Sequence, residues 1–328
     1  MDESRPTRNL ALELARVTEA AALASGRYMG RGDQIAADRA AVDAMRLMLN
    51  TIRMNGVVVI GEGEKDEAPM LFNGEHLGTG NPPEVDIAVD PIDGTRPFAS
   101  GLSNAISTVA MAPRGTMFNP GPCVYMHKLA VGAVACDAID IQAPLEENLR
   151  QVARAKGEKM DDLTVAILDR PRHAGLIADV RRLGARIRLI NDGDVAGALM
   201  TAMPDTGIDV LMGIGGTPEG VIAACALRAM GGNIQGRLHF RNEEERRKAQ
   251  QMGMEIDQVL RVEDLVSSDD VFFAATGLTN GDLLKGIDYY AGGAFTDTLV
   301  VRGKTGTIRR IQASHRLDKL ATVSRIPY

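Results

Sequence analysis

The sequence is poor in cysteine and in aromatic residues, and each shortage excludes a class of protein. Its three cysteines, Cys123, Cys136 and Cys225, follow no metal-binding spacing, which argues against a disulfide framework and against a thiolate metal site. This usage fits a reducing cytoplasm. Aromatic residues make up 4% of the chain and the formal net charge is -6 at pH 7, so binding to nucleic acid or to an anionic membrane is not favoured.

Long hydrophobic runs are also absent. No apolar run approaches the ~20 residues that span a bilayer, and residues 1–6 lack the basic region and apolar core of a signal peptide. The chain of 328 residues is 45% hydrophobic and 24% charged, which suits an ordinary globular protein of roughly two domains. We therefore expect a protein without a membrane segment.

The hydrophobic periodicity of the N-terminal part predicts two helices followed by a sheet. Apolar residues recur at helical spacing in 10–25 and 35–53, with a Gly-rich turn between the two segments. Short β-branched runs predict strands at 57–60, 85–89, 105–111 and 129–134. We expect residues 1–143 to form an α+β domain in which helices cover this sheet.

The C-terminal part shows a regular alternation of strand and helix patterns. The predicted strands lie at 163–168, 187–190 and 208–212, and the predicted helices lie at 144–156, 174–183, 195–203 and 219–230. Such alternation indicates a largely parallel sheet in an α/β domain, which we assign to residues 144–328. Strand-like segments return at 271–275, 298–302 and 307–313, and we expect them to add to or cover this second sheet.

The first of three acidic clusters, Gly61-Glu62-Gly63-Glu64-Lys65-Asp66-Glu67, directly follows a predicted strand. Its glycines permit a sharp turn, so that a carboxylate can point back across the strand ends, where functional loops commonly lie. The alternative is a solvated acidic loop without a function.

The second cluster, Asp90-Pro91-Ile92-Asp93-Gly94-Thr95, follows the apolar run at 85–89. Asp90 therefore lies at the mouth of a buried strand, where an uncompensated carboxylate is costly and a cation would remove the conflict. Pro91 fixes the turn, and Asp93 can face the same side as Asp90, so that both reach one or two ions. Thr95 is then close enough to position a water or to help deprotonate it. A β-turn leading into an N-capped helix is the alternative, but it explains only one of the two aspartates.

The third cluster, residues 213–220, reads Gly-Ile-Gly-Gly-Thr-Pro-Glu-Gly and lies between a predicted strand and a predicted helix. Backbone N–H groups at such a turn, with a helix N-terminus behind them, favour an anion or a metal-linked phosphate. In the alternative reading, Glu219 in the first helical turn only matches the helix dipole.

The ligand types and the basic residues narrow the chemistry further. Carboxylates dominate the clusters, the chain has only five histidines, and it lacks a His-x-x-x-His or Cys-x-x-Cys pair, so Mg²⁺ or Mn²⁺ suits the site better than zinc. Arg170 and Arg172 straddle Pro171 after a predicted strand, and we expect them to hold phosphate unless they are ordinary surface arginines. His173 has the position of a structural or capping residue. The carboxylates of 192–194 either accept sugar hydroxyls or cap the next helix.

In these segments the chain resembles the class II fructose-1,6-bisphosphatases, bacterial members of the lithium-sensitive, inositol-monophosphatase-like phosphatase superfamily. The superfamily signature Asp-Pro-(Ile/Leu/Val)-(Asp/Glu)-Gly-Thr stands at 90–95. Further class-specific matches are spread along the chain in the same order, at 61–64, 68–71, 170–173, 192–195, 213–220 and 275–277.

The resemblance implies a fold, a reaction and a set of site residues. The implied fold is a layered α/β/α/β/α sandwich, and the implied reaction is hydrolysis of fructose 1,6-bisphosphate in gluconeogenesis by homodimers or tetramers. The implied metal ligands are Asp38, Glu62, Asp90, Asp93 and Glu219. The residues implied to surround the substrate are Asp93, Gly94, Thr95, Tyr125, Arg170, Pro171, Arg172, Asp192, Gly193, Asp194 and Gly216. Many members have Lys where this chain has Gln34, so either Arg31 replaces that cation or the affinity and metal use differ.

The mechanism that we expect is in-line attack of water on the 1-phosphate. Metals polarise the phosphoryl oxygens, and Thr95 orients the water together with an acidic neighbour such as Asp38 or Asp66. A related phosphatase acting on sedoheptulose 1,7-bisphosphate or an inositol phosphate is the nearest alternative. A noncatalytic sugar-phosphate sensor is a further alternative, although such a protein should have lost some of the metal carboxylates.

Overall fold

Two β-sheets lie between three helical layers in the computed structural model, which describes residues 9–62, 71–324, 326 and 328. The described residues form thirteen strands and ten α-helices. The α/β class predicted from the periodicity is therefore confirmed.

The first sheet has eight strands drawn from both ends of the chain. They are β1 (Asn55–Ile60), β2 (His76–Leu77), β3 (Glu84–Asp93), β4 (Ile106–Pro113), β10 (Phe272–Gly277), β11 (Asp288–Tyr290), β12 (Gly293–Arg302) and β13 (Thr307–Arg316). Their order is β11-β12-β10-β4-β3-β1-β2. In addition, β13 pairs with β12 along the whole length of β12. Only β1 and β3 run parallel to each other in this sheet.

The second sheet has five strands from the middle of the chain. They are β5 (Tyr125–Val131), β6 (Thr164–Leu168), β7 (Arg186–Ile190), β8 (Val210–Gly216) and β9 (Asn233–His239). Their order is β7-β6-β8-β5-β9. The first three are parallel, as the alternation of strands and helices predicts, whereas β5 pairs antiparallel with β8 and β9.

Ten α-helices surround and separate the sheets. They are α1 (Ala11–Ser25), α2 (Gln34–Leu49), α3 (Thr95–Ala99), α4 (Leu145–Lys156), α5 (Ala174–Arg182), α6 (Asp194–Met200), α7 (Thr217–Ala229), α8 (Glu243–Gln251), α9 (Val262–Leu265) and α10 (Leu317–Ser324). Among the described residues, every helix is too short or too polar to cross a bilayer.

Three hydrophobic clusters define the layers. One cluster, which includes Met45, packs α1 and α2 on the outer face of the first sheet. A second, which includes Ile222, packs α6 and α7 between the two sheets. The third, which includes Leu149, packs α4 and α5 on the outer face of the second sheet. The order of layers is therefore α/β/α/β/α, as the resemblance implies, and β3 is apolar along most of its length because both of its faces are covered.

The C-terminal strands do not join the second sheet, so that prediction was wrong. Instead β10, β12 and β13 extend the first sheet, with β10 inserted between β4 and β12. In the opposite direction, β5 belongs to the second sheet although it precedes residue 143. Hydrophobic periodicity shows that a strand is buried but not which sheet buries it. The predicted boundary at 143 therefore does not coincide with the division between the sheets.

Three local predictions also need correction. The strand predicted at 129–134 is β5, which begins at Tyr125 and ends at Val131. Residues 213–220 are not a loop, because β8 continues through Gly216 and α7 begins at Thr217. The acidic turn at 90–95 is likewise part of an element, since β3 runs to Asp93 and its register shifts between Asp90 and Asp93.

Candidate active site

A cleft of about 450 Å³ opens between the two sheets and collects most of the predicted site residues. The predicted residues that line it are Glu62, Asp90, Asp93, Gly94, Thr95, Tyr125, Arg170, Arg172, Asp192, Gly193, Asp194, Gly216 and Glu219. Asp38 and Pro171 do not line it, and Asp66 lies outside the described residues. Gln34 is exposed at the first residue of α2 and is not part of the lining.

The end of β3 and the turn that follows it form the centre of the cleft. Asp90 accepts a hydrogen bond from the backbone N–H of Ile92 at 3.2 Å, which closes the turn around Pro91. Asp93 accepts one from the backbone N–H of Ala196 at 3.3 Å, and Ala196 lies in α6. Gly94 has φ +92°, a conformation that other residues rarely adopt, and α3 begins directly after it at Thr95. This turn therefore ties the first sheet to the layer between the sheets.

The two aspartates of this turn favour the protonated form. Burial raises the pKa of Asp90 well above its usual range, and the charges of Asp93, Glu62 and Glu219 raise it further. Burial is also the main cause of the raised pKa of Asp93, followed by the charges of Asp194 and Glu219. Several carboxylates thus share one poorly solvated space, which is the electrostatic situation that a bound cation relieves.

Glu62 and Asp38 extend the acidic group along the same side. Burial raises the pKa of Glu62 to about 7, with Asp38 and Glu219 adding to the effect. Burial also raises the pKa of Asp38 to about 6, while a hydrogen bond from the Thr95 side chain opposes the rise. The Thr95 hydroxyl also lies 3.1 Å from the carbonyl oxygen of Ile92. Asp38, although outside the lining, is therefore within reach of the cleft through Thr95.

Glu219 reaches the cleft from the first turn of α7, and glycines make room for it. A Cβ on Gly216 would lie 1.8 Å from Oε2 of Glu219, and a Cβ on Gly215 would lie 1.8 Å from Oδ2 of Asp194. Both carboxylates thus rest against bare backbone at the end of β8. Oε2 of Glu219 is buried and has no hydrogen-bond partner among the described residues. A buried anionic oxygen without a donor fits a cation.

The carboxylates of the cleft fit a hard divalent cation, but the protein would supply only part of its coordination shell. Oxygen atoms of carboxylates are the ligands that Mg²⁺ and Mn²⁺ prefer. In the described part of the chain, no three His, Cys, Asp or Glu side chains are already arranged to hold a metal ion. Such a cation would therefore take one or two carboxylates from the protein and complete its shell with water and substrate phosphate, as is usual for Mg²⁺.

The arginines of the cleft differ in their partners. Arg170 forms an ion pair with Asp192 at 2.8 Å. Arg172 donates to the carbonyl oxygen of Ile214 at 2.8 Å and stacks over the ring of Tyr125 at 5.4 Å. Arg96, which sequence reasoning missed, lines the same cleft, and its guanidinium forms neither an ion pair nor a hydrogen bond with any residue that the structure describes.

His173 is a structural residue. Its Nδ1 donates to the carbonyl oxygen of Leu168 at 2.7 Å, and its Nε2 accepts from the backbone N–H of Ile214 at 2.8 Å. The ring is buried, and burial lowers its pKa. Both nitrogens are thus used to join the end of β6 to the end of β8, which holds the loop of Arg170 and Arg172 beside the cleft.

Lys128 is a second residue that sequence reasoning missed. It lies on β5, is 4% exposed, and its ammonium contacts Asp194 at 2.7 Å. A sequence signal for it exists, because Lys128 directly precedes the apolar run from Leu129 to Val131 and must be paired if that strand is buried.

Together, the layered fold and the cleft of carboxylates and arginines are those of an α/β phosphohydrolase. The chain belongs to the family described as bacterial fructose-1,6-bisphosphatase, glpX-encoded, whose model matches residues 8–315. It is 51% identical over 325 residues to fructose-1,6-bisphosphatase 1 class 2 of Escherichia coli (strain K12), a match that covers 95% of this chain and 96% of that protein. The identity and both coverages are the same for fructose-1,6-bisphosphatase class 2 of Shigella flexneri.

Proposed function

We propose that this protein hydrolyses the 1-phosphate of fructose 1,6-bisphosphate to give fructose 6-phosphate and inorganic phosphate. The observation that carries the proposal is the composite cleft. Carboxylates and arginines from the edges of both sheets face the same volume, which suits a metal-assisted reaction on a sugar with a phosphate at each end. Membership of the bisphosphatase family supports the same substrate.

We further propose that the carboxylate side of the cleft holds Mg²⁺ or Mn²⁺. The candidate ligands are Asp38, Glu62, Asp90, Asp93 and Glu219, and the unpartnered Oε2 of Glu219 supports their assignment. The cation would polarise the phosphoryl oxygens and make a nearby water more acidic. The raised pKa values of Asp90 and Asp93 support this proposal, because a cation would stabilise their charged forms.

Thr95 and Asp38 would handle the attacking water. The Thr95 hydroxyl lies at the start of α3. It would form one hydrogen bond with that water and orient the water toward phosphorus. Asp38 would accept the proton that the water loses, since its pKa of about 6 leaves it mostly ionised at neutral pH and still basic enough for the task. The bond from phosphorus to the sugar oxygen would break as the new bond forms, and the sugar oxygen would take a proton from solvent water to give the 1-hydroxyl of fructose 6-phosphate. The role of Asp66 remains a prediction.

The arginines would hold the phosphate groups. The guanidinium of Arg96 lines the cleft without a partner among the described residues, which makes it the first candidate to bind a phosphate. Arg170 and Arg172 already contact protein groups and would contribute donors that those contacts leave unused. Asp192, Asp194 and Tyr125 would accept or donate hydrogen bonds to sugar hydroxyls.

A phosphate-release assay tests the proposed function. With Mg²⁺ or Mn²⁺, the protein should release phosphate from fructose 1,6-bisphosphate, and a chelator should abolish the release. Sedoheptulose 1,7-bisphosphate and inositol 1-phosphate are the comparison substrates. A preference for the monophosphate would overturn the substrate assignment. If phosphate were released from none of the three, the proposed enzymatic function would be wrong and the noncatalytic sugar-phosphate sensor would be favoured. Light scattering on the same sample tests the predicted dimer or tetramer.

A further inference from the structure

Lys128 is a buried cation directly behind the cleft. On β5 it pairs with Gly213 of β8 and with Gly236 of β9, so its two cross-strand neighbours are both glycines. Its ammonium donates to Oδ2 of Asp194 at 2.7 Å. Of all ion pairs between described residues, this is the one in which both side chains are at most 5% exposed.

The contacts of Lys128 place its charge against the wall of the cleft. A Cβ on Gly215 would lie 3.0 Å from Nζ of Lys128, and a Cβ on Gly220 would lie 3.5 Å from its Cε. The side chain therefore runs beneath the end of β8 and the first turn of α7. Gly215 and Asp194 both line the cleft, so the ammonium lies against residues that form the cleft wall.

The same ammonium acts on Glu219. Glu219 precedes Gly220 in the first turn of α7, and Cε of Lys128 would lie 3.5 Å from a Cβ on Gly220. The charge of Lys128 therefore favours the ionised forms of two carboxylates, Asp194 by direct contact and Glu219 from beside its helical turn. A bound metal ion would have the same electrostatic effect on these groups.

We propose that Lys128 is a fixed cation of the active site, a positioning residue that holds Asp194 toward the substrate and limits how strongly the carboxylates bind divalent ions. The proposal rests on the proposed metal-dependent function. A carboxylate paired with a lysine is unavailable as a metal ligand, and an ammonium near Glu219 repels a divalent cation. The site would therefore bind its metal weakly enough for substrate phosphate to complete the metal shell.

Metal titration of the substrate-free protein tests the proposal. Lys128→Met removes the charge, Lys128→Gln removes it but keeps a donor for Asp194, and Lys128→Arg keeps it. By calorimetry with Mn²⁺, both neutral variants should bind at least about tenfold more tightly or bind one more ion, whereas Lys128→Arg should resemble the wild type. In Lys128→Met kcat should also fall by at least about tenfold at saturating metal, because Asp194 loses its fixed position, whereas in Lys128→Gln, which keeps a donor, kcat should fall less.

Lys156→Met is the matched control. Lys156 also pairs with a buried aspartate, Asp209, in the same half of the molecule, but neither residue lines the cleft. This variant should lose stability without a change in Mn²⁺ affinity.

Thermal unfolding provides a second measurement of Mn²⁺ binding. The rise in melting temperature on addition of Mn²⁺ should be larger in the neutral Lys128 variants than in the wild type.

The outcomes separate this proposal from the proposed function. Unchanged or weaker Mn²⁺ binding in Lys128→Gln would overturn the role of Lys128, and so would the same gain in affinity in Lys156→Met. If Lys128→Met does not fold, the Mn²⁺ affinity of Lys128→Gln alone tests the role of Lys128. The function itself is judged on wild-type phosphate release with and without chelator. Wild-type protein that binds no divalent ion would overturn both.

Discussion

The two sides of the cleft differ in how their buried carboxylates are compensated. The first wall, formed by Glu62, Asp90 and Asp93 at the edge of the first sheet, has no basic side chain in contact among the described residues. The second wall, at the edge of the second sheet, carries its own cations, because Arg170 pairs with Asp192 and Lys128 pairs with Asp194. This difference supports the proposal that the first wall binds a cation from solution and that the second wall binds the anionic substrate.

This difference explains why the acidic chain can bind a phosphate ester. Carboxylates without counter-ions would repel the substrate, so the first wall is useful only after a cation has bound. The charges of the second wall largely cancel one another. The attraction of the phosphate ester therefore depends on Arg96 and on the arginine N–H groups that are not used in contacts within the protein. Each of the following predictions tests one wall against the other.

Loss of a carboxylate from the first wall should have the largest effect. For Asp90→Ala we expect kcat/KM for fructose 1,6-bisphosphate to fall by at least about a thousandfold, because the proposed metal contributes several kcal/mol to the transition state. Thermal unfolding of the metal-free variant should show no loss of stability, since the removed carboxylate is a source of repulsion. Near-normal turnover would contradict the assignment of the metal site.

The pH dependence of stability should also single out the first wall. Glu62 has a pKa of about 7 against 4.5 for the free side chain. Because the pKa is raised on folding, the stability associated with its protonated form is fully present below about pH 4.5 and is lost as the pH rises through about 7. In the presence of chelator, this loss should amount to roughly 3 kcal/mol of unfolding free energy.

Glu62→Gln is the matched control for this measurement. Burial lowers the pKa values of three histidines, which are His127, His173 and His315, so their contribution to stability changes with pH in the opposite direction, and they are present in both proteins. The difference in unfolding free energy between wild type and variant therefore reports on Glu62 together with its effect on the neighbouring Asp90. A pH-independent difference in chelator would contradict the role of burial, and Mn²⁺ should remove the dependence.

Removal of Arg96 should have a smaller effect, confined to substrate binding. For Arg96→Met we expect KM to rise roughly tenfold to a hundredfold with a smaller change in kcat, which corresponds to loss of a charged hydrogen bond. Arg96→Lys should recover part of the affinity. Arg309→Met, which removes an exposed arginine outside the cleft, should behave like the wild type. An unchanged KM in Arg96→Met would assign the phosphate contacts to Arg170 and Arg172 instead.

Local patterns predicted much of the secondary structure. The apolar spacing at 10–25 predicted α1 to within one residue, and the run at 85–89 predicted the buried core of β3. These elements are readable because each has one dominant period and a clear polar boundary. The cluster at 213–220 was misread as a loop, because its glycines permit both a turn and a strand against which carboxylates pack.

The sequence by itself determined the α/β class, the acidic clusters at strand ends and the chemistry that their carboxylates favour. These follow from residue type and from short-range spacing. The tertiary structure alone decided that β10, β12 and β13 complete the first sheet, that the two walls face each other, that Arg96 lines the cleft and that Lys128 lies behind its wall. Strand order and the pairing of buried charges depend on contacts between residues far apart in the chain, and no local pattern encodes which distant partner satisfies a buried group.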